Sequence, residues 1–319
     1  MQTMRWFRPA VWSTLVAAVS FADAPRISAT QARALVAGEL KGCAEGSDDE
    51  QIRCLMKARL SDDPQATKLA LALFETAGHV VGVLPEQDFE GGYRGMIHLV
   101  PQLPIGAERK HLEFTAGALT EIDAFLSDTE RLSASLTDEQ RLAGVAFRYR
   151  WRALELRFFR SLKKRTPAAF AIDWTVSYNT NGTLNGSLPV VRSLLFHEIF
   201  HLNDDDWSER ELSADYDTIV KKCGTGIECL TRYVPEPLIV KGGTYYSFMP
   251  GNGVREYAAD LALRYFRDQR EVMQGRVVKK PFKCAAPENA RAWAKLSQRF
   301  FGGVDRLPSC FDAKATGPR

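Results

Sequence analysis

The alternation of apolar and polar positions changes character several times along the chain. Residues 28–61 carry helical spacing, whereas 78–84 and 96–100 are short apolar runs bounded by turn formers and predict strands. From 111 to 165 the spacing is again that of two or three amphipathic helices. One of them opens at Leu136-Thr137-Asp138-Glu139, where a polar starter and early acids match a helix head. Thr166-Pro167 ends this stretch, because a residue before proline is driven out of the helical region. Residues 172–179 then alternate in the manner of a strand, and 179–187 are rich in Asn and Gly and predict a turn or loop.

Pro189 fits the first position of a helix, with Ser187 or Leu188 near its cap. Over 190–202 apolar residues wrap almost the whole helix surface, which predicts a helix buried within a domain. Residues 254–266 predict a second helix. Together these elements predict an α+β chain. A mainly helical region spans 23–165 and a second domain spans 166–278, with a small sheet, its edge strand and the two helices. A C-terminal tail spans 279–319. The strand over 172–179 is the candidate edge beside the cleft, where a peptide could add by main-chain hydrogen bonds; the alternative is a fully paired interior strand.

The buried helix carries His197-Glu198-Ile199-Phe200-His201. Residues four apart sit one turn above each other, about 6 Å along the axis, so both imidazoles lie on one face and can share one zinc ion. Glu198 is placed to reach a water on that ion. Burying this glutamate with no metal nearby would be costly. A catalytic zinc usually has three protein ligands. Trp207 occupies the position where metzincins carry a third histidine, so a carboxylate is expected instead.

Glu256 is the preferred candidate, with Asp260 one turn later on the same face, where it can accept the free N–H of a ligating histidine. Glu211 with Asp215 repeats that offset and is the runner-up, but only nine residues separate Glu211 from His201. Asp204, Asp205 and Asp206 read as a solvated run.

In these residues the chain resembles the gluzincins, zinc hydrolases with two histidines and a downstream glutamate as ligands. Within that class, Thr244-Tyr245-Tyr246-Ser247-Phe248 followed by Glu256-Tyr257-Ala258-Ala259-Asp260 is similar to the anthrax lethal factor type of protease domain. The resemblance covers roughly residues 172–266. It departs from the family pattern at Ala258, where a second aromatic is usual, and in the distance of the tyrosines from Glu256. It implies a zincin-like fold and a zinc metallopeptidase acting on a peptide or protein substrate. The ligands would be His197, His201 and Glu256, with Glu198 as general base and Tyr246, or failing that Tyr245, as oxyanion donor. The competing expectations are a zinc amidase acting on cell-wall peptide and a non-catalytic protein that keeps zinc for structure.

Composition adds the setting. Arg5 and Arg8, an apolar run over 10–22 and the small residues Ser20 and Ala22 predict a cleaved secretory signal over 1–22, a mature start at Asp23 and a secreted or periplasmic protein. Losing two arginines and no acid lowers the formal net charge from +3 to +1, which makes no case for a nucleic-acid partner. The cations among aromatics over 147–165 suggest either a polyanion surface or, preferably, the solvated face of a helix packed through Trp151, Leu154 and Phe158. No later segment is long and apolar enough to span a membrane. Six cysteines in an exported chain favour pairing, and proximity suggests Cys43–Cys54, Cys223–Cys229 and Cys284–Cys310.

Overall fold

The structure, a computed structural model, describes residues 27–36, 42–91, 95–135, 145–240 and 242–310. The expected signal segment over 1–22 and the helix head at Leu136-Thr137-Asp138-Glu139 lie outside them. The described chain is mixed α+β. Three helices lead, α1 (Ala29–Val36), α2 (Asp48–Arg59) and α3 (Pro64–Ala77), followed by strands β1 (Val80–Val83), β2 (Gln87–Glu90) and β3 (Met96–Pro101). The long helix α4 (Arg109–Ala134) precedes β4 (Glu155–Ser161), β5 (Ala169–Ile172) and β6 (Thr175–Asn179). Helix starts follow the expected chemistry: Ser47 and Glu50 form a reciprocal capping box on α2, and Asp63 caps α3 through the N–H groups of Gln65 and Ala66.

The six strands make one sheet in the order β2-β3-β4-β6-β5, with β1 running parallel to the first half of β4 and β3 antiparallel to its second half. Strands from both sides of residue 165 therefore share one sheet. The stretch 147–165, read as helical, is an extended approach followed by the central strand β4. It sends Leu156 and Phe158 into the main core and Phe159 into a smaller cluster with Leu84, Ile97 and Leu99. A strand buried on both faces shows no period of two, so its pattern is easily taken for that of a buried helix. Several of its cations are engaged within the fold. Arg150 pairs with Asp205, Arg157 with Glu155, Arg165 donates to the Asn181 carbonyl, and Arg152 lies over the Trp174 ring.

The strand over 172–179 is also placed differently. β6 is interior, bonded to β4 on one side and β5 on the other, and the sheet ends at β5. Ile172 closes β5, and Asp173 and Trp174 make the tight turn between the two strands with φ of 48° and 60°. Two successive left-handed residues give the hairpin turn whose twist matches antiparallel strands.

Helix α5 (Leu188–Asp204) lies against the sheet beside α4 and is crossed by α9 (Gly253–Met273). The short helices α6 (Trp207–Glu211), α7 (Ser213–Cys223) and α8 (Ile227–Leu230) and a small ribbon, β7 (Ile239–Val240) with β8 (Thr244–Tyr245), connect α5 to α9. Phe196 of α5 stacks on Phe266 of α9 with ring centroids 4.2 Å apart, and Phe125 of α4 meets Phe266 edge-on at 4.8 Å. Such aromatic pairs add about 0.5–1.5 kcal/mol each beyond their burial and fix how the helices cross.

The segment expected as a tail supplies α10 (Pro287–Phe300), whose Trp293, Leu296 and Phe300 enter the main core. The three predicted disulfides, Cys43–Cys54, Cys223–Cys229 and Cys284–Cys310, are formed, as suits a chain kept in an oxidising compartment. No helix among the described residues is long and apolar enough to cross a membrane.

Candidate metal centre

The position of α5 is set before the helix begins. Asn179, Asn181 and Asn185 use their side-chain amides as cross-ties: Asn179 Nδ2 donates to Ser161 Oγ (2.8 Å) and the Pro167 carbonyl (2.7 Å), Asn181 Nδ2 to the Ser161 carbonyl (2.9 Å), and Asn185 Nδ2 to the Ala168 carbonyl (2.9 Å). The Asn-rich loop is thereby bonded to the ends of β4 and β5 and fixes where α5 starts. At the other end Arg150 donates to the Leu202 carbonyl and pairs with Asp205, a cation where the helix dipole favours one. Asp204, expected in a solvated run, is fully buried. It accepts from the Ser208 N–H (2.8 Å) and hydroxyl (2.6 Å), so it serves the start of α6.

Phe196 and Phe200 turn into the core, which leaves His197 and His201, one position on, to face α9 together. His197 Nε2 lies 3.2 Å from His201 Nε2 and 3.1 Å from Glu256 Oε2, and His201 Nε2 lies 3.6 Å from the same carboxylate oxygen. A tetrahedral ion with ligand bonds of about 2.0–2.1 Å requires its donor atoms about 3.3–3.4 Å apart, so the three edges of this triangle fit one small divalent cation. His197 Nδ1 lies 3.1 Å from Asp260 Oδ1, which accepts the Nδ1 proton and leaves Nε2 free to ligate. His197, His201 and Glu256 can thus hold a metal ion. The close approach of α9 that this demands is permitted by Ala258, Ala259 and Ala262, all fully buried.

Burial pushes the His197 imidazole down, but its contacts with Asp260 and Glu256 outweigh that and raise it well above its ordinary value. Burial pushes the Glu256 carboxyl up, yet His197 and His201 hold it well below the usual carboxylate range. Glu198, buried in the same cleft, is raised by desolvation, and Glu256 adds to that effect against His197 and His201. Burial, then Glu256, Glu198 and Asp260, push the Tyr246 phenol up, so it keeps its proton and can donate.

These groups share a cleft of about 960 Å³ that runs from β5 and Trp174, past His197, Glu198 and His201, to Tyr246 and Glu256. The other candidates stand elsewhere. Tyr245 is buried with its hydroxyl 3.0 Å from Thr231 Oγ1, Glu211 is exposed on α6, and Asp215 pairs with Arg291. Sequence reasoning had not singled out β5 or the Asp173-Trp174 turn as cleft walls. Their one signal is that Phe170-Ala-Ile-Asp-Trp ends an apolar run at a turn-forming acid.

Compared with protein-family models, curated proteins and solved structures, the chain shows no match to any of them.

Proposed function

We propose that the chain is a zinc-dependent peptidase with a zincin-like catalytic centre of the gluzincin kind, exported from the cell and acting on peptide or protein substrates. The observation that carries this reading is the triangle of His197 Nε2, His201 Nε2 and Glu256 Oε2 in one cleft with a buried glutamate that is not part of it. Bound there, a divalent ion supplies Lewis acidity toward a carbonyl oxygen and acidifies water. Glu198 takes the proton from the attacking water and returns it to the leaving nitrogen, a task suited to a carboxyl raised by burial. Tyr246 presents its phenolic proton to the oxyanion that develops on the carbonyl. Asp260 holds the His197 ring in the tautomer that keeps Nε2 available.

Catalysis is favoured over a structural zinc because a structural site is closed by four protein ligands, whereas three converge here and the cleft is open beside them. β5, an edge of the sheet among the described residues, supports a peptide as substrate, since its residues line the same cleft. The test is casein hydrolysis by the purified chain. The expected result is activity abolished by a chelator, restored by zinc, and absent in Glu198→Gln with its metal content unchanged. An active Glu198→Gln variant, or activity indifferent to chelation, refutes the reading.

A further inference from the structure

A second pocket of about 390 Å³ opens from the back of the metal centre. His197, Glu198 and Tyr246 line both it and the larger cleft, so it adjoins the centre where, on the peptidase reading, the bond would be cut. Its walls are apolar. Leu184, Val190 and Leu238, which line it, are among the large hydrophobic residues that the fold leaves exposed, at 38%, 42% and 43%. Exposed apolar side chains gathered around one opening mark a place where something binds.

Its charge is one-sided. Glu198, Glu236 and Asp260 line it, and no lysine or arginine does so among the described residues. Glu198 and Asp260 are engaged at the metal centre, but Glu236 has no role there. Its Oε2 is paired with Arg267, whereas its Oε1 is buried without a hydrogen-bond partner, as is Asp260 Oδ2. A buried acceptor left unpaired costs about 1–3 kcal/mol, so its retention in a pocket wall calls for an occupant that satisfies it. Burial raises Glu236 to about 7 although Arg267 and Arg264 oppose it, with Asp260 and Asp268 adding to the rise, so the neighbouring cations do not meet its need.

We propose that this pocket receives a basic side chain, lysine or arginine, from the substrate residue next to the scissile bond, and that Glu236 is the specificity-determining residue that meets its charge. The inference rests on the peptidase reading for its biological meaning and on the pocket alone for its chemistry. A long aliphatic stem with a cationic head matches mainly apolar walls with an unpaired carboxylate oxygen among them. A purely apolar side chain would fill the walls and leave Glu236 unsatisfied.

The experiment uses the zinc-loaded chain and a peptide library in which the residue on either side of the cut is, in turn, lysine, arginine, norleucine or glutamate. We expect kcat/KM at least about tenfold higher for lysine or arginine than for norleucine, with the ratio between the two bases showing which head fits better. Glu236→Gln should erase that preference while norleucine peptides are cut as before, and Glu236→Lys should favour glutamate. Equal use of lysine and norleucine, or a preference that survives Glu236→Gln, overturns the proposal.

A second readout does not depend on catalysis. By ligand-observed NMR, pentylamine should bind the wild-type chain at least about fivefold more tightly than 1-pentanol, and Glu236→Gln should bind the two alike. Should no peptide be cut, the peptidase reading falls and the amine result still decides the pocket, equal binding of the two probes overturning it. Should peptides be cut without preference for a base, the pocket inference falls and the peptidase reading stands.

Discussion

His79 makes stability depend on pH in a way the structure lets one compute. It is buried just before β1, with its Nδ1 accepting the Leu154 N–H at 3.0 Å and its ring edge-on to Trp151. That bond ties β1 to the start of β4, the strand on which the sheet is built. Protonating Nδ1 would replace the acceptor with a donor facing another donor, and burial lowers the imidazole from 6.5 to about 4.

A folded-state value below the unfolded one means that the unfolded chain takes up a proton first. The stability is therefore fully present above pH 6.5, drains away as pH falls toward 4, and is flat below. A gap of about 2.5 units at 1.36 kcal/mol each gives a full effect of about 3 kcal/mol, of which about 2 kcal/mol is lost between pH 7 and pH 5. Gln at this position retains an acceptor and does not titrate. Urea unfolding of the chelated wild type and His79→Gln at both values should show the wild type losing about 2 kcal/mol more than the variant. Parallel losses in the two proteins would refute the reasoning.

Asp260→Asn should weaken zinc binding about 10- to 100-fold, because the acceptor that orients His197 becomes a neutral amide; a competition titration against a chelating dye measures it, and an unchanged affinity would remove Asp260 from the centre. Gly302→Ala should cost at least about 2 kcal/mol in urea unfolding, since φ is +59° and the new Cβ would come 1.8 Å from Ser133 Oγ and 2.9 Å from the Phe147 backbone nitrogen. Rotation can move Ser133 Oγ but neither its Cβ, 2.7 Å away, nor the Phe147 backbone, so a loss under about 0.5 kcal/mol would show that this close approach is not rigid.

The cluster of His197, His201 and Glu256 was legible in the sequence because its two parts are local. His197 and His201 are joined by helical spacing, and Glu256 with Asp260 repeats that spacing on a second helix rich in alanine. Which carboxylate joins the histidines depends on where α9 crosses α5, yet chain length between His201 and Glu211 already disfavoured the nearer acid. The order of strands is tertiary information. β6 reads as a strand from its own residues, but nothing in them says that the four-residue β5 will cover its outer side.

β4 was misread because Trp151, Leu154 and Phe158 fall at helical intervals by coincidence, while burial on both faces removed the alternation that would have marked a strand. Asp204 was misplaced because an acid in a run of three looks solvated until a serine four residues on is seen to need it. Glu236, between two prolines in a loop, carries no sequence signal at all; only the pocket gives it meaning.

The proposed function requires one divalent ion held by His197, His201 and Glu256. The direct measurement is zinc per chain, by plasma mass spectrometry after dialysis against metal-free buffer, for the wild type, Glu256→Ala and Glu211→Ala. We expect about one zinc in the wild type and in Glu211→Ala, and little or none in Glu256→Ala. A wild type without bound metal, or a Glu256→Ala chain that keeps a full equivalent, would contradict it.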